Sequence, residues 1–210
     1  MAAPEQVALP AVHGSGELPG DLVLPSRQAP LVVFAHGAGS SRRSPRNRWV
    51  AEQLQDAGIG TLLMDLLTEH EEVEDAHGEL RFNIPLLTAR VLGVLDWWRA
   101  PAGLFGASTG AAAALGAAGQ RPEQVRAVVS RGGRPDLTAE PLEHVRAPTL
   151  LIVGGADPEV LELNRRTAER LPGEHELRVV EGATHLFEEP GALEQVSTAA
   201  TGWFRAHLGT

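Results

Sequence analysis

The chain has 210 residues, 43% of them hydrophobic and 21% charged, a composition that predicts a single soluble domain over residues 1–210. Its net charge of −9 argues against nucleic acid or an anionic membrane surface as a partner, because both bind basic surfaces. The 18 lysine-or-arginine positions are all arginines, and cysteine is absent, which excludes Schiff-base and P-loop lysines, disulfides, thiolate metal sites and a cysteine nucleophile.

Short apolar runs alternate with helical patterns, which indicates a doubly wound, mostly parallel α/β sheet. The runs 7–12 and 18–24, joined by a Gly-Ser-Gly turn, predict an antiparallel N-terminal hairpin. The further predicted strands are 31–35, 60–65, 102–105, 127–130, 149–153 and 176–180. The predicted helices are 45–57, with Ser44 as its N-cap, 85–98, 111–119, 159–171 and 193–208.

Three connecting segments carry expectations of their own. The acidic segment 69–79 predicts a solvated, mobile loop rather than a metal site, because its charges lack ligand spacing. Residues 132–147 leave no room for a large lid, so we expect an open site. Residues 98–101 form a very short link into the strand at 102–105, which is left with about four residues, fewer than the usual ~5–6.

The segment 1–6 shows neither the basic region nor the apolar core of a signal peptide. No apolar run approaches the roughly 20 residues that a membrane span requires. We therefore expect a cytoplasmic protein.

The most informative motif is the G-x-S-x-G of residues 106–110, which lies between a predicted strand and a helix rich in small residues. In a nucleophile elbow, the serine occupies a strained turn, and glycine on both sides avoids clashes with the neighbouring strand and helix. The context therefore predicts Ser108 as a nucleophile. The alternative is a glycine-rich turn with a structural serine.

Two later loops offer the base and the acid that such a serine needs. Asp157 follows the strand at 149–153, and His185 follows the strand at 176–180, so both lie at the carboxyl edge of the sheet. The chain order Ser108, Asp157, His185 is the order that the elbow predicts. Alternatives remain for two of them: Asp157 could cap the following helix, and His185 could be a half-buried structural histidine. Asp136 is a rival for the acid.

Acyl transfer also needs N–H donors for the tetrahedral oxyanion. One is the backbone N–H of Thr109. The second should come from the loop that follows the strand at 31–35, where Ala38 is the first choice, with Gly37 and Gly39 as alternatives. We expect His36 to brace this loop rather than to act as the base.

These motifs together resemble the α/β-hydrolase superfamily, and within it the small dienelactone-hydrolase-like group. The resemblance covers nearly the whole chain, although dienelactone hydrolases proper carry cysteine where this chain has Ser108. Similar domains also occur fused to phosphoribosyltransferases, and no phosphoribosyl-binding segment is visible here. The resemblance implies hydrolysis of a carboxylic ester, lactone or thioester without a cofactor.

Two arginine clusters, 42–48 and 131–134, follow strand ends. A guanidinium can hold a substrate carboxylate or phosphate through two parallel hydrogen bonds, which makes Arg42 and Arg131 candidates for substrate binding. The alternative for both is an exposed or ion-paired arginine.

We therefore predict a serine hydrolase with Ser108 as nucleophile, His185 as base and Asp157 as the orienting acid. Its predicted partner is a small-molecule ester-type substrate, with no metal or cofactor. A catalytically weak ligand-binding or receptor module on the same fold is one alternative, and an acyltransferase with the same triad is another. The acyl group, the leaving group and the oligomeric state stay open.

Overall fold

The computed structural model describes residues 3–209, so the predicted domain extends at residues 1, 2 and 210 beyond the described part. The strands are β1 (Glu5–Pro10), β2 (Glu17–Val23), β3 (Leu31–Ala35), β4 (Gly60–Met64), β5 (Ala102–Ala107), β6 (Val125–Arg131), β7 (Thr149–Gly154) and β8 (His175–Val180). They form a sheet in the order β1-β2-β4-β3-β5-β6-β7-β8. The pairs β1–β2 and β2–β4 are antiparallel and the other pairs are parallel, which confirms the predicted fold class.

Helices cover both faces of the sheet. They are α1 (Pro45–Asp56), α2 (Glu69–Glu74), α3 (Ile84–Trp98), α4 (Thr109–Gln120), α5 (Pro158–Ala168) and α6 (Ala192–Leu208). The apolar sides of α3 and α4 pack on one face, and those of α1 and α6 pack on the other. No helix within residues 3–209 is both long and apolar enough to cross a membrane.

The central strands are buried along their whole length because both of their faces are covered. Every residue of β3 and of β5 is buried, as the continuous apolar runs predict. The rings of Phe34 and Phe105 stack at a centroid distance of 4.7 Å between these two strands. Because β3 and β5 to β8 run parallel, the loops after these strands meet at the carboxyl edge of the sheet.

The link into β5 differs from its prediction. β5 has six residues, not about four, because Gly106 and Ala107 continue the pairing with β6. The short link is possible because Arg99 ends α3 in the left-handed conformation, at φ 63°. The side-chain amide of Gln124 donates to the carbonyls of Leu95 and Ala100, at 2.7 and 3.1 Å, and so satisfies backbone groups that the tight turn leaves free.

The prediction of a mobile loop over residues 69–79 is wrong for its first half. Glu69–Glu74 form the short helix α2, which begins with a capping box: the Glu71 N–H donates to the Thr68 hydroxyl, and the Thr68 N–H donates to the Glu71 carboxylate. The same carboxylate accepts a hydrogen bond of 2.5 Å from Arg90, whose side chain has no exposed surface. Part of the acidic segment therefore neutralises a buried cation.

We expect Glu71→Gln to lower the free energy of unfolding by about 3 kcal/mol, because glutamine keeps the cap but leaves the Arg90 charge buried without a counter-ion. Urea unfolding followed by circular dichroism measures the difference. The matched control is Glu69→Gln, an exposed position in the same turn, which should change stability by less than about 0.5 kcal/mol. Equal stability of the two variants would show that Glu71 does not compensate Arg90.

Candidate active site

Ser108 lies at the turn between β5 and α4. Its backbone adopts φ 51° and ψ −121°, a conformation that residues other than glycine rarely occupy. The Ser108 N–H donates to the carbonyl of Arg131 at the end of β6, at 3.2 Å. Its own carbonyl accepts from the N–H groups of Ala111 and Arg134, both at 3.1 Å. The turn is therefore tied both to α4 and to the loop after β6.

Glycine is required on both sides of this serine. A Cβ atom on Gly106 would lie 2.4 Å from the Cα of Ala111, and one on Gly110 would lie 2.2 Å from the carbonyl oxygen of Ala35. Both separations are far inside van der Waals contact, and the obstructing atoms belong to backbone that cannot step aside. The glycines of the motif therefore do what the sequence predicts of them.

The loops after β7 and β8 bring Asp157 and His185 to this serine. The Nδ1 of His185 lies 2.8 Å from the Oδ2 of Asp157, and its Nε2 lies 3.3 Å from the Oγ of Ser108. The side chain of Asp157 is 17% exposed and that of His185 is 38% exposed. A continuous hydrogen-bonded chain thus runs from a largely buried carboxylate to the hydroxyl of a half-buried serine.

The structure distinguishes the two candidate acids, Asp136 and Asp157, by what their carboxylates contact. The carboxylate of Asp136 is held by the guanidinium of Arg134, at 2.9 and 2.8 Å, and does not contact His185. The side chain of Asp157 makes no capping hydrogen bond to α5, although the residue occupies the N-cap position. Asp157 is therefore the carboxylate that holds the imidazole.

The loop after β3 lies directly over Ser108. A Cβ atom on Gly37 would come within 3.1 Å of the Cβ of Ser108. The next N–H, that of Ala38, donates to the hydroxyl of Thr109 at 2.8 Å. The sequence predicts an Ala38 N–H that is free to receive an oxyanion, whereas in the structure the buried Thr109 side chain occupies it.

The family model of the α/β-hydrolase domain matches residues 28–201 of this chain. The matched range includes the strands and loops that bring Ser108, Asp157 and His185 together. The chain belongs to the α/β-hydrolase domain family.

Solved structures extend this family assignment. A dienelactone hydrolase from Anabaena variabilis is 51% identical and superposes with a TM-score of 0.92, covering 99% of this chain and 100% of that one. This α/β-hydrolase is therefore dienelactone-hydrolase-like. Est1E from Butyrivibrio proteoclasticus is 15% identical, with a TM-score of 0.80 over 98% of this chain and 99% of its own, and shares the fold.

The chain also matches part of two longer proteins. Two proteins from strains of Mycobacterium tuberculosis, each provisionally named a phosphoribosyl transferase, are 54% identical over 204 residues. The match covers 94% of this chain and 45% of each relative. This α/β-hydrolase domain thus spans about half the length of those proteins.

Two contacts of the His185 loop were not predicted from the sequence. Arg46, in the first turn of α1, donates to the exposed Glu188 at 2.9 Å. The Thr184 hydroxyl donates to Glu189 at 2.6 Å, and this hydrogen bond lowers the pKa of the Glu189 carboxyl. The first contact ties the loop to α1, and the second closes the loop around His185. No sequence pattern predicts the pair of Arg46 and Glu188, because the two residues are 142 positions apart.

The two candidate substrate-binding arginines have opposite surroundings. Arg42 pairs with Asp65 through both its backbone N–H and its guanidinium, and its Nε lies 3.6 Å from Asp21. Arg131 is 7% exposed and makes no ion pair within the described residues. Two carboxylates therefore already compensate Arg42, and none compensates Arg131. Within residues 3–209 no group of three or more acidic or histidine side chains is placed to hold a metal ion.

His36 braces the loop over Ser108, as the sequence predicts. Its Nε2 accepts a hydrogen bond of 3.1 Å from the N–H of Leu66, so its proton is on Nδ1, which donates to the carbonyl of Gly37 at 2.9 Å. Burial lowers the pKa of His36, although the Gly37 carbonyl partly opposes that shift. The imidazole is therefore kept neutral, and its protonation would break the bond from Leu66.

This lowered pKa makes part of the stability depend on pH. Below an unfolded-state pKa of about 6.5 the unfolded chain takes up a proton at His36 that the folded chain resists, so stability falls as the pH drops from about 6.5 to the folded pKa. Each unit of lowering corresponds to about 1.4 kcal/mol. Unfolding free energies of the parent and His36→Gln between pH 5 and 8 measure this contribution, and the variant should lose less stability on acidification. The control is His77→Gln, at an exposed histidine. On acidification it should lose as much free energy of unfolding as the parent does.

Proposed function

We propose that this chain is a serine hydrolase that cleaves a small carboxylic ester, lactone or thioester through an acyl-enzyme intermediate. The observation that carries the proposal is the hydrogen-bonded chain from Asp157 through His185 to Ser108, in a turn that only flanking glycines permit. The three residues come from three separate loops, and the family match supports the same arrangement.

In the first half of the reaction, the Oγ of Ser108 attacks the substrate carbonyl carbon while the Nε2 of His185 removes the hydroxyl proton. Asp157 accepts the Nδ1–H of the imidazole, fixes its tautomer and stabilises the imidazolium. The Nε2–H of His185 then protonates the leaving oxygen or sulfur as its bond to the carbonyl carbon breaks. Ser108 is left esterified by the acyl group.

In the second half, water takes the place of the leaving group. The Nε2 of His185 removes a proton from the attacking water, and the tetrahedral intermediate collapses as that proton returns to the Oγ of Ser108. A carboxylic acid is released. With 38% of its side chain exposed, His185 is accessible to both substrate and water, which favours small or exposed acyl groups.

The dienelactone hydrolase from Anabaena variabilis supports the choice of ester and lactone substrates, since it shares the full length of this chain. The transferase name of the M. tuberculosis relatives belongs to proteins of which this chain matches 45%, so it does not define the reaction at Ser108.

The test is intact-mass analysis after treatment with a fluorophosphonate probe, combined with hydrolysis of short-chain nitrophenyl esters. The parent should gain one adduct. Ser108→Ala should gain none and lose at least about 10⁴-fold in kcat, because the attacking oxygen is gone. Ser26→Ala, at an exposed serine of the β2–β3 connection, is the matched control and should behave as the parent. An adduct on Ser108→Ala, or most of the activity in that variant, would refute the assignment.

The oxyanion donors follow from the contact between Ala38 and Thr109. We propose that the oxyanion accepts from the backbone N–H of Thr109 and from the hydroxyl of the same residue. The Ala38 N–H donates to that hydroxyl, and a hydroxyl that accepts a hydrogen bond becomes a stronger donor. Its proton has no acceptor within the described residues. Ala38 then acts through Thr109 instead of binding the oxyanion directly.

Replacing Thr109 by valine removes the hydroxyl and keeps the shape, so we expect kcat to fall by about 10²-fold with little change in KM. Thr109→Ser keeps the hydroxyl and should retain most of the parent rate. Steady-state kinetics on one nitrophenyl ester measures both variants. A valine variant as fast as the parent would mean that the Ala38 N–H, once released, binds the oxyanion itself.

A further inference from the structure

Arg131 is a buried cation without a counter-ion among the described residues. It ends β6, and the residue is 7% exposed. Its Nε and Nη1 are buried and have no hydrogen-bond partner. Arg90, the other buried arginine within residues 3–209, also has Nε and Nη1 buried without a partner, but its Nη2 donates to the carboxylate of Glu71, so its charge is compensated. Burying a guanidinium without an acceptor is costly, so the donors of Arg131 call for an anion from outside the chain.

A second cation near Arg131 adds to the uncompensated positive charge. Burial lowers the pKa of Arg131 to about 10, and the positive charge of Arg46 contributes to the lowering. Arg46 donates from Nη1 to the exposed Glu188, and its Nε is buried without a partner. Among the described residues, one carboxylate pairs with Arg46 and none with Arg131, and three guanidinium nitrogens of the two residues are buried with no acceptor.

The backbone of Arg131 and the loop that Arg46 contacts both lie beside the candidate active site. The carbonyl of Arg131 accepts from the N–H of Ser108, and a Cβ atom on the following Gly132 would lie 3.5 Å from the Nδ1 of His185. Side chains alternate along a strand, so Arg131 points to the same face as Val129, the face on which α1 and α6 pack. Arg46 comes from the first turn of α1 and reaches the loop that carries His185 through Glu188.

We propose that Arg131 and Arg46 form a subsite for an anionic group, a carboxylate or a phosphate, on the substrate of the proposed hydrolase. That an anion binds here is inferred from the buried donors. That the anion belongs to a substrate rests on the proposed function. Planar guanidinium groups bind both kinds of anion through paired hydrogen bonds. Glu188 is the resident counter-ion of Arg46, and an incoming anion would replace it there. Arg42 is excluded from this role because Asp65 and Asp21 already compensate it.

The first experiment compares two esters with equal acyl chains. One is nitrophenyl hexanoate, and the other is the mono-nitrophenyl ester of adipic acid, which carries a free carboxylate at the far end. We expect the parent to favour the anionic ester in kcat/KM by about tenfold or more. Arg131→Gln should lower the ratio of the two kcat/KM values by about tenfold, and Glu188→Gln should raise it. The matched control Arg43→Gln, at an exposed arginine, should leave the ratio unchanged.

The second experiment needs no turnover. Calorimetric titration of the parent and of Arg131→Gln with adipate and with inorganic phosphate should show binding that the variant loses. Tighter binding of phosphate assigns the subsite to a phosphate group, and tighter binding of adipate assigns it to a carboxylate. Thermal unfolding of each variant confirms that it is folded. Glu188→Gln keeps the test available if Arg131→Gln does not fold, because it should bind the preferred anion more tightly than the parent.

Two results would overturn the subsite. One is an anionic-to-neutral ratio near one that neither variant changes, and the other is anion binding that survives in a folded Arg131→Gln. Failure of the proposed function is a different result: no fluorophosphonate adduct and no hydrolysis of either ester. Anion binding that depends on Arg131 would survive that failure and would point to a ligand-binding role for the domain.

Discussion

The left-handed turn at Ser108 is the constraint on which the rest of the site depends. Such a backbone conformation costs about 1–3 kcal/mol for a residue with a side chain and persists only where its surroundings enforce it. Here the enforcement is a fit of backbone against backbone: β3 passes so close to Gly110, and α4 so close to Gly106, that a methyl group has no room at either glycine. The position of the Ser108 hydroxyl is thus set by main-chain packing, which side-chain motion cannot relax.

The partners of Ser108 are held with comparable precision because their loops hydrogen-bond to one another. The N–H of Ala156 donates to the carbonyl of Ala183 at 2.9 Å, which ties the Asp157 loop to the His185 loop. A Cβ atom on Gly154 would lie 2.2 Å from that same carbonyl, so glycine is again what allows the approach. The two loops therefore form one unit, and the imidazole is positioned by the sheet edge as well as by the carboxylate.

Local sequence patterns were enough to predict that Ser108, Asp157 and His185 meet, but not every contact around them. Ser108, Asp157 and His185 each come after an apolar run, and a parallel sheet gathers the loops after its strands at one edge, so their meeting could be expected. The contact between Ala38 and Thr109 could not, because it depends on a side-chain torsion across 71 positions.

The helix α2 is a different case. Thr68 and Glu71 form a capping box that is visible in the sequence, but the density of negative charge favoured a loop. The buried Arg90 that offsets this charge lies 19 positions beyond Glu71, in another helix. A charge pattern read locally therefore predicts solvation where the fold supplies a buried counter-ion.

The arginines of this domain differ in whether a carboxylate compensates their charge. Arg42 reaches two carboxylates and Arg90 one, whereas Arg131 has none within the described residues and faces another cation. A surface arginine in that position would cost little, since water would solvate it. Arg131 is 7% exposed, and it directly precedes Gly132, the glycine that abuts His185. A well-packed aliphatic side chain would avoid the cost of burying an uncompensated charge there, and this cost supports the anionic subsite proposed above.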